Sequence, residues 1–395
     1  MAKTADVIII GGGISGCSAA YQLARRGARV CLLEKSHLAA GSTGRTVGII
    51  RQHYSNEVTA RMALRSLRVW QDFEQIIGGD AGFVNSGVIF AVGPHEREKM
   101  AANVAMQRGV GIRVELLDVE SLREVAPELN GADFGGIAYE PEGGYADGAL
   151  AAAALARRAT DEGAEIRQGI TVRCILTEHG RVLGVETEDG TMHAPIVINA
   201  AGPWAAQLTA QLGTQTPAQA SRHQVAVFQQ PPGSALAGHP FVADFVHHFY
   251  TRGETGALTL AGSLDPREAE DVVGDPDHYN ESVSMDFNAE MADLTVARLP
   301  AMAEAHVGKG WVGLYTVTPD WHPIIGPLPS TEGLILAYGF SGSGFKMGPV
   351  VGEMLADLAL GERQCPIDPA PFRLQRFAEG ELFRGGYGEG GGLIG

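Results

Sequence analysis

Asp6-Val-Ile-Ile-Ile-Gly-Gly-Gly-Ile-Ser-Gly16 is a run of apolar residues that ends in a cluster of glycines. An apolar run as short as 6–10, bounded by glycine, is typical of a strand buried on both faces of a parallel sheet. We predict a helix over Cys17–Arg26, stopped by Gly27, and a second buried strand over Arg29–Leu33. Strand, glycine loop, helix and strand together make a βαβ unit of about 30 residues.

The glycines of this unit have the spacing of a dinucleotide-binding loop, Gly11-x-Gly13-x-x-Gly16. Gly11 allows the tight turn, Gly13 lets the backbone approach a pyrophosphate, and Gly16 lets the helix pack closely on the strand. The helix N-terminus offers free N–H groups and partial positive charge to phosphates. Glu34, at the end of the second strand, can accept both hydroxyls of an adenosine ribose. The sequence therefore predicts dinucleotide binding, and a glycine turn in an ordinary βαβ unit is the alternative.

The loop after the ribose acid bears on the choice between FAD and NAD. Gly41-Ser-Thr-Gly-Arg-Thr-Val-Gly48 is rich in small residues, where an NAD domain would normally continue into another helix. We interpret it as backbone wrapped around the phosphates and ring edge of a flavin, and an exposed flexible loop is the alternative. Residues of this loop expected at the cofactor are Ser42, Thr43, Gly44, Arg45 and Gly48.

A third glycine-rich loop, Gly339-Phe-Ser-Gly-Ser-Gly-Phe-Lys346, lies between a predicted strand over Leu334–Tyr338 and a predicted helix over Met347–Leu360. Its helix N-terminus and the charge of Lys346 would stabilise the anionic N1–C2=O edge of a reduced flavin. A generic strand–turn–helix is the alternative. Residues of this loop expected at the cofactor are Gly339, Gly342, Ser343, Gly344, Phe345 and Lys346.

Composition and charge limit the class of protein. The chain has 395 residues, 45% apolar and 19% charged, which is a globular composition that excludes disordered and fibrous proteins. Because a net charge of −16 repels phosphate backbones, we expect no nucleic-acid partner. No run of about 18 apolar residues occurs, so we expect no membrane span and a cytoplasmic location. The cysteines show no ligand spacing, and we expect no metal site.

The rest of the chain mixes helical and strand patterns without an internal repeat. The apolar period of Arg61–Ile77 predicts an amphipathic helix, and further helices are predicted over Glu96–Arg108 and Ala149–Glu162. The glycine-rich segment 384–395 is expected to fray. Strands are predicted over Gly87–Val92, Ile170–Thr177, Arg181–Thr187, Ala194–Ala200, Val225–Phe228, Phe249–Arg252 and Ala257–Ala261, with the last three in an antiparallel sheet.

Three segments carry a resemblance to a known family: the N-terminal βαβ unit, the stretch from Gly41 to Ile49-Ile-Arg51, and the Gly339–Lys346 loop. On these segments the chain resembles the D-amino-acid-oxidase superfamily of FAD-dependent oxidoreductases. Within it, the chain is similar to sarcosine oxidases and to the β subunits of bacterial sarcosine oxidase and L-proline dehydrogenase. Trp311-Val-Gly-Leu-Tyr-Thr-Val-Thr-Pro-Asp320 and His223-Gln224 also resemble that branch, so the resemblance covers nearly the whole chain.

The resemblance implies an α/β fold with two interleaved domains. One is a Rossmann-like (GR2-type) FAD-binding domain, and the other is an α+β substrate domain whose mostly antiparallel sheet roofs the flavin. The implied segments are 1–82, 147–222 and 310–395 for the FAD-binding domain and 83–146 and 223–309 for the substrate domain, with 385–395 as a flexible tail.

The resemblance also implies the catalytic residues. An arginine matching Arg51 and a lysine matching Lys346 bind the substrate carboxylate in sarcosine-oxidase relatives, which would turn the α-carbon hydrogen toward flavin N5. Tyr250 could roof the substrate and Tyr315 lies near the expected flavin face; packing is the alternative for both. Alternation lets only one of His247-His248 face the flavin, and a surface or packing role is favoured for both. Further residues implied at the cofactor are Ile14, Ser15, Lys35, Ile49, Val172, Ala200, Ala201, Gly202, Trp204 and Gly313.

Several positions depart from the family's patterns. Gly313 lies in the segment where monomeric sarcosine oxidases attach FAD through a cysteine, and Thr43-Gly44-Arg45 stands where some relatives carry a flavin-bound histidine. Asp147–Ala159 lacks the histidine on which sarcosine oxidase β subunits hold FMN. These differences predict non-covalent FAD. We align Thr259 with the lysine that activates oxygen in the oxidases, which favours a dehydrogenase that passes electrons to another acceptor.

The sequence thus predicts FAD-dependent oxidation of an amino acid that is a secondary or tertiary amine, such as sarcosine, dimethylglycine, proline or an N-alkyl amino acid. A hydride equivalent passes to flavin N5, and the imine then hydrolyses. A neutral amine needs no strong general base, because its lone pair assists hydride departure. The alternatives are a D-amino-acid dehydrogenase on primary amines and the flavin subunit of a hetero-oligomeric dehydrogenase. Expected partners are the amino acid substrate and either further copies of this chain or partner subunits.

Overall fold

The computed structural model describes residues 3–234, 236 and 238–387. The helices are α1 (Ile14–Ala24), α2 (Glu57–Gln71), α3 (Phe73–Ile77), α4 (Arg97–Val110), α5 (Val119–Val125), α6 (Gly148–Asp161), α7 (Ala205–Ala210), α8 (Met285–Arg298), α9 (Gly344–Leu360) and α10 (Arg376–Glu379). Short 3-10 helices lie at Pro94–Glu96, Gly202–Trp204, Pro266–Glu270, Pro300–Met302 and Ala370–Phe372.

The strands, in chain order, are β1 (Lys3–Thr4), β2 (Val7–Ile10), β3 (Val30–Glu34), β4 (Ile49–Ile50), β5 (Val88–Val92), β6 (Glu115–Leu117), β7 (Gly136–Glu140), β8 (Gly144–Tyr145), β9 (Glu165–Gln168), β10 (Val172–Glu178), β11 (Arg181–Thr187), β12 (Gly190–His193), β13 (Ile196–Asn199), β14 (Gln219–Gln229), β15 (Phe241–Asp244), β16 (Phe249–Glu254), β17 (Leu258–Ser263), β18 (His306–Val307), β19 (Trp311–Val317), β20 (Ile324–Pro327) and β21 (Leu334–Tyr338).

The predicted βαβ unit forms the centre of a parallel sheet with the order β20-β21-β13-β2-β3-β9, in which only the edge strand β20 is antiparallel to its neighbour. All four residues of β2 are buried, as predicted for a strand covered on both faces. Helix α1 packs between α6 and α9 on one face, and the small sheet β1-β12-β11-β10 covers the other through a shared apolar core. The Rossmann-like half of the predicted fold is therefore confirmed.

The second large sheet has the order β18-β14-β17-β16-β15-β5-β7-β6, and β19 pairs with the first half of β14. Its neighbouring strands are antiparallel except for β5 and β15, which confirms the predicted, mostly antiparallel sheet. The predicted limit between residues 222 and 223 falls within β14, which is a single continuous strand. Residues 219–222 of β14 pair with 314–317, and residues 223–225 pair with 311–313. The domain limits themselves remain a prediction.

Local capping explains where the helices differ from their predicted bounds. The helix predicted over Arg61–Ile77 begins earlier, because the side chain of Asn56 accepts a hydrogen bond from the Thr59 amide; it is also interrupted at Asp72. Helix α8 was not predicted. Of the predicted flexible tail, residues 388–395 lie outside the described residues, whereas the hydroxyl of Tyr387 lies 2.9 Å from His53 Nε2.

In the part of the chain that the structure describes, no helix combines the length and the apolar character needed to cross a bilayer. The same residues contain no group of three or more His, Cys, Asp or Glu side chains arranged to hold a metal ion.

Candidate active site

Two adjoining cavities lie between the parallel sheet and the antiparallel sheet. The large cavity, of about 730 Å³, follows the carboxyl ends of β2, β3, β13 and β21, which is where ligands bind in open α/β sheets. The small cavity, of about 70 Å³, continues from it. Six residues line both cavities and mark where they meet: Thr46, Val47, Tyr250, Tyr315, Ser341 and Gly342.

Most residues predicted at the cofactor line the large cavity: Gly11, Gly13, Ile14, Ser15, Glu34, Lys35, Ser42, Thr43, Arg45, Val172, Ala200, Ala201, Gly202, Trp204, Gly313, Gly339, Gly342, Gly344 and Phe345. Ile49 and Lys346 line the small cavity instead, together with Arg51. Four predicted residues line neither cavity: Gly16, Gly44, Gly48 and Ser343.

The glycines outside the cavities act through backbone packing. A Cβ on Gly16 would lie 2.0 Å from the carbonyl oxygen of Gly11, and one on Gly48 would lie 1.9 Å from that of Ala146. Gly44 is similarly close to a backbone carbonyl oxygen, at 2.5 Å. Contacts this short need glycine, so these residues shape the loops around the large cavity without touching its contents. Ser343 donates its hydroxyl hydrogen to the Phe340 carbonyl oxygen.

The large cavity fits a dinucleotide at the end formed by Glu34. Its two carboxylate oxygens accept hydrogen bonds from the backbone amides of Gly12, at 2.7 Å, and Ser36, at 2.8 Å. Each oxygen keeps lone-pair capacity for a hydroxyl donor. The indole Nε1 of Trp204, which also lines this cavity, is buried and has no protein partner. The adenosine half of a dinucleotide could therefore bind the fixed carboxylate of Glu34 and the free indole N–H of Trp204 at this end of the cavity.

The hydroxyls of the second loop differ in what they can offer. Thr43 Oγ1 accepts the amide of Ile14 at 3.0 Å, so its own hydrogen is still available for a phosphate oxygen. Ser42 Oγ donates to the carbonyl oxygen of Leu314 at 2.6 Å. Of the two hydroxyls, Thr43 can therefore donate to a phosphate oxygen, whereas the hydrogen of Ser42 is already used within the protein.

A loop of the antiparallel half closes one side of the large cavity. Lys35 pairs with Asp277 and lies 3.9 Å from the ring centre of Trp204, while Arg45 pairs with Glu281 at 3.3 Å. The local sequence does not indicate that this loop reaches the cavity, because its position depends on ion pairs formed across more than 200 residues of chain.

The small cavity has two cations at one end. The Arg51 guanidinium donates to the carbonyl oxygen of His53 and lies 5.6 Å from the ring centre of Phe90. Lys346 is 6% exposed, and its Nζ donates to the carbonyl oxygen of Gly342 at 3.1 Å. Burial, and next the charge of Arg51, hold the Lys346 pKa well below its usual value. The ammonium form of Lys346 is therefore costly beside Arg51 unless an anion binds near both, and a bound carboxylate would favour that charged form.

The other walls of the small cavity are apolar, formed by Ile49, Phe90, Phe241, Ala243, Phe245 and Leu264. Apart from Ile49, none of these residues was predicted to lie at the site. Phe241, Ala243 and Phe245 follow the two-residue alternation of a strand, so this signal was available in the sequence. What the sequence does not reveal is that β15 pairs with β5, which brings Phe90 beside them.

Tyr250 and Tyr315 line the junction of the two cavities, and His223 lines the large cavity beside Tyr315. Burial raises the pKa of Tyr315 to about 12 and holds that of Tyr250 well above its usual value, so both phenols stay protonated at neutral pH. The ring of His223 stacks on Tyr315 at 3.8 Å, and burial lowers its pKa to about 3. His223 is thus a neutral ring, hydrogen-bonded to Ser221 at 2.9 Å, and it lines the large cavity.

One expectation about the antiparallel sheet needs correction. Thr259 lines neither cavity, and its Oγ1 accepts from Gln230 Nε2 at 3.1 Å. His247 and His248 line neither cavity, which agrees with the favoured surface or packing role; His247 lies 3.2 Å from Asp244.

Glu140 is a buried carboxyl group near Arg51 that no pattern in the sequence had indicated. Glu140 is 0% exposed, and its Oε2 accepts the amide of Gln52 at 2.8 Å. Its Oε1 lies 4.0 Å from His53 Nδ1, and neither atom has a hydrogen-bond partner. Burial raises the pKa of Glu140 from 4.5 to about 7.

We expect this group to make stability depend on pH. The folded protein retains a proton that the unfolded chain releases between about pH 4.5 and pH 7, so stability falls as pH rises through that window. Glu140→Gln removes this titration. The difference in free energy of unfolding, variant minus wild type, should therefore be larger at pH 8 than at pH 5 by on the order of 3 kcal/mol. Urea unfolding at both pH values measures this, with the exposed Glu124→Gln as control. An equal difference at the two pH values would show that Glu140 does not titrate there.

Comparison with known proteins gives concordant matches. Residues 6–358 match the family model described as DAO, FAD dependent oxidoreductase. Sarcosine oxidase subunit beta from Arthrobacter sp is 29% identical over 392 residues, which cover 96% of this chain and 93% of that protein. L-proline dehydrogenase from P. horikoshii has a similar structure, with a TM-score of 0.88, 29% identity, and coverage of 97% of this chain and 100% of that one.

Mitochondrial sarcosine dehydrogenase from Mus musculus is 28% identical over 363 residues, which cover 90% of this chain. The match takes in 39% of that protein. The present chain therefore spans about two fifths of the length of this relative.

Proposed function

This chain belongs to the DAO family of FAD-dependent oxidoreductases, and from that premise we propose that it oxidises an α-amino acid that is a secondary or tertiary amine. The family membership and the relatives make it an FAD-dependent amino acid oxidoreductase. The choice of amine is the proposal, and sarcosine, dimethylglycine, proline and N-alkyl amino acids are its members. Bound FAD supplies the acceptor for a hydride equivalent from the carbon next to nitrogen.

One observation carries the proposal: Arg51 and Lys346 share the small cavity that opens into the large one. A planar guanidinium and an ammonium together favour a carboxylate, which accepts charge-assisted hydrogen bonds from both. Anchoring the carboxylate at that end leaves the rest of the substrate near the junction formed by Tyr250 and Tyr315. The cations thus orient the substrate and do not take part in bond breaking.

The lining of the small cavity supports our proposal that the substrate binds as an uncharged amine. No carboxylate or histidine is among the residues that line it, and Arg51 and Lys346 repel an ammonium group. A neutral amine binds without that penalty, and it reacts without a general base because its nitrogen lone pair is already free. An alkyl group on the nitrogen is also compatible with the apolar walls, whereas the N–H groups of a primary amine would lose hydrogen bonds to water.

We propose that FAD is held without a covalent bond, in the large cavity. Gly313, in place of the cysteine of monomeric sarcosine oxidases, offers no side chain to attach it. The residues proposed to hold FAD are those predicted above that line the cavity, with Glu34 at the ribose, Thr43 and the N-terminus of α1 at the phosphates, and the N-terminus of α9 at the ring.

We propose further that the electron acceptor is not oxygen. The strands of the antiparallel sheet that line the cavities, β5, β14, β15, β16 and β19, contain no lysine, so the inference does not depend on Thr259 alone. Two of the relatives are named as dehydrogenases and one as a subunit, which supports work within a larger assembly. The FAD-loaded chain, once reduced without oxygen, should reoxidise slowly in air; rapid reoxidation would support an oxidase instead.

Anaerobic titration of the FAD-loaded protein tests the substrate class. Sarcosine, N-methylalanine and proline should bleach the flavin absorbance, while glycine, alanine and D-alanine should bleach it much more slowly. Faster bleaching by D-alanine would favour a D-amino-acid dehydrogenase. The corresponding amines without a carboxylate, such as dimethylamine and pyrrolidine, serve as controls and should not react.

A further inference from the structure

We infer that Phe245 and Leu264 form the entrance to the small cavity and limit the size of the group that the substrate carries on its nitrogen or α-carbon. The inference rests on the proposed function, because it takes the small cavity as the substrate site. Among the apolar side chains that line only this cavity, four are buried and these two are half-buried. These two side chains therefore carry the most solvent-accessible part of the apolar wall that does not also line the large cavity.

The two residues are joined by the backbone of one sheet edge. Phe245 follows β15 directly and Leu264 follows β17. The amide of Leu264 donates to the carbonyl oxygen of His248 at 2.7 Å, in the turn that carries Phe245, and the amide of Phe245 donates to Ala91 at 2.9 Å. The entrance is thus built from the ends of β15 and β17, which lie on either side of β16 and whose spacing is set by hydrogen bonds.

A continuous apolar path runs from this entrance to the cations. The rings of Phe245 and Phe90 are stacked, with centroids 6.4 Å apart and planes within 14°. The Arg51 guanidinium in turn lies 5.6 Å from the centroid of Phe90. A ligand whose carboxylate binds Arg51 therefore places its substituent along Phe90, pointing toward Phe245.

The turn that carries Phe245 is braced from the outer face of the sheet. Asp244, which is 0% exposed, accepts the amides of Val246, at 2.8 Å, and His247, at 3.1 Å. Its other oxygen accepts from Nε of Arg298 at 2.6 Å, and Arg298 is itself almost fully buried. A charge pair this enclosed holds the turn in one conformation, so the entrance has a fixed width.

These features define the class of substituent. With walls of phenylalanine and leucine, a second charged group would lose its hydration without a partner. With a volume of about 70 Å³, the cavity has room for a small ligand only, such as an amino acid with a short alkyl chain or a small ring. The inferred substrate class is an amino monocarboxylate whose substituent is apolar and a few carbons long.

The test uses unbranched carboxylic acids as probes, so that it needs no turnover. Acetate, propionate, butyrate, valerate and hexanoate are titrated into the FAD-loaded protein, and binding is read from the change in flavin absorbance. For the wild type, affinity should rise by about fourfold per added methylene while the chain fits, then fall at valerate or hexanoate. Phe245→Ala and Leu264→Ala should bind those longer acids at least tenfold more tightly than the wild type does.

Matched controls come from half-buried residues outside the small cavity. Phe83→Ala and Leu258→Ala remove the same side chains elsewhere and should keep the wild-type chain-length profile. Phe245→Leu, a milder change, should shift the profile by about one carbon and keeps the test valid if Phe245→Ala does not fold. An unchanged profile in all the entrance variants would overturn the inference.

The outcomes separate this inference from the proposed function. If the acids bind and the entrance variants shift the profile, but no amine bleaches the flavin, the proposed reaction fails and the entrance stands. If amines are oxidised and the profile does not shift, the reaction stands and the entrance is wrong. If the FAD-loaded wild type binds none of the acids, both the carboxylate site and the entrance are overturned.

Discussion

Arg51→Gln should lower kcat/KM for a carboxylate-bearing amine by roughly 10- to 200-fold, while the protein keeps its FAD. Hydrogen bonds to charged groups contribute about 1.5–3 kcal/mol, and each 1.4 kcal/mol changes a rate tenfold. Because Arg51 lines the small cavity and not the large one, cofactor content should not change. The measurements are anaerobic reduction kinetics and the ratio of flavin to protein absorbance.

A surface arginine supplies the control for this variant. Arg61 lies on α2 and pairs with Glu57 four residues earlier, with half of its side chain exposed, so Arg61→Gln should leave kcat/KM at the wild-type value. Normal turnover of carboxylate substrates by Arg51→Gln would show that the clamp is wrong. A loss of FAD together with activity would instead assign Arg51 a structural role.

Gly16→Ala should reduce FAD content more than tenfold. The new Cβ would lie 2.0 Å from the carbonyl oxygen of Gly11 and 3.4 Å from Ile9 Cγ2, so α1 must move away from the loop that approaches the phosphates. Overpacking of this kind costs about 1–3 kcal/mol in stability. The effect on FAD should be larger than the effect on folding, since the displaced helix N-terminus is part of the proposed cofactor site.

Gly109→Ala provides a matched control for the same chemical change. Gly109 is in helix α4, and no atom lies within 4 Å of the position its Cβ would take. This variant should bind FAD normally and gain up to about 1 kcal/mol of stability. Absorbance spectra and thermal unfolding of both variants make the comparison. Wild-type FAD content in Gly16→Ala would show that close helix–strand packing is not required.

The cofactor half of the site was predictable because its parts are local. Gly11, Gly16 and Glu34 lie within one βαβ unit, where turn geometry and strand burial follow from neighbouring residues. The predicted loop from Gly41 to Gly48 also reaches the large cavity, through Ser42, Thr43 and Arg45. The role of Ser42 was less predictable, since its hydroxyl is used by a residue 272 positions away.

The lining of the small cavity was predictable mainly where the family resemblance named a residue. Arg51 and Lys346 were identified in that way, whereas Phe90, Phe245 and Leu264 were not. Glu140 also escaped prediction, because nothing in its neighbouring sequence marks it as a buried carboxyl group. The orientation of Thr259 was not predictable either, since a strand segment read alone does not reveal which of its two faces meets a cavity.

By itself, the sequence determined that this chain wraps a dinucleotide with glycine turns at the carboxyl edge of a parallel sheet, since those turns need particular residues at particular short spacings. Only the tertiary structure decided what lines the small cavity. The pairing of β15 with β5 and of β14 with β19 brings together residues far apart in the chain. Such contacts depend on which sheets pair and face each other, which is a long-range property that no local spacing encodes.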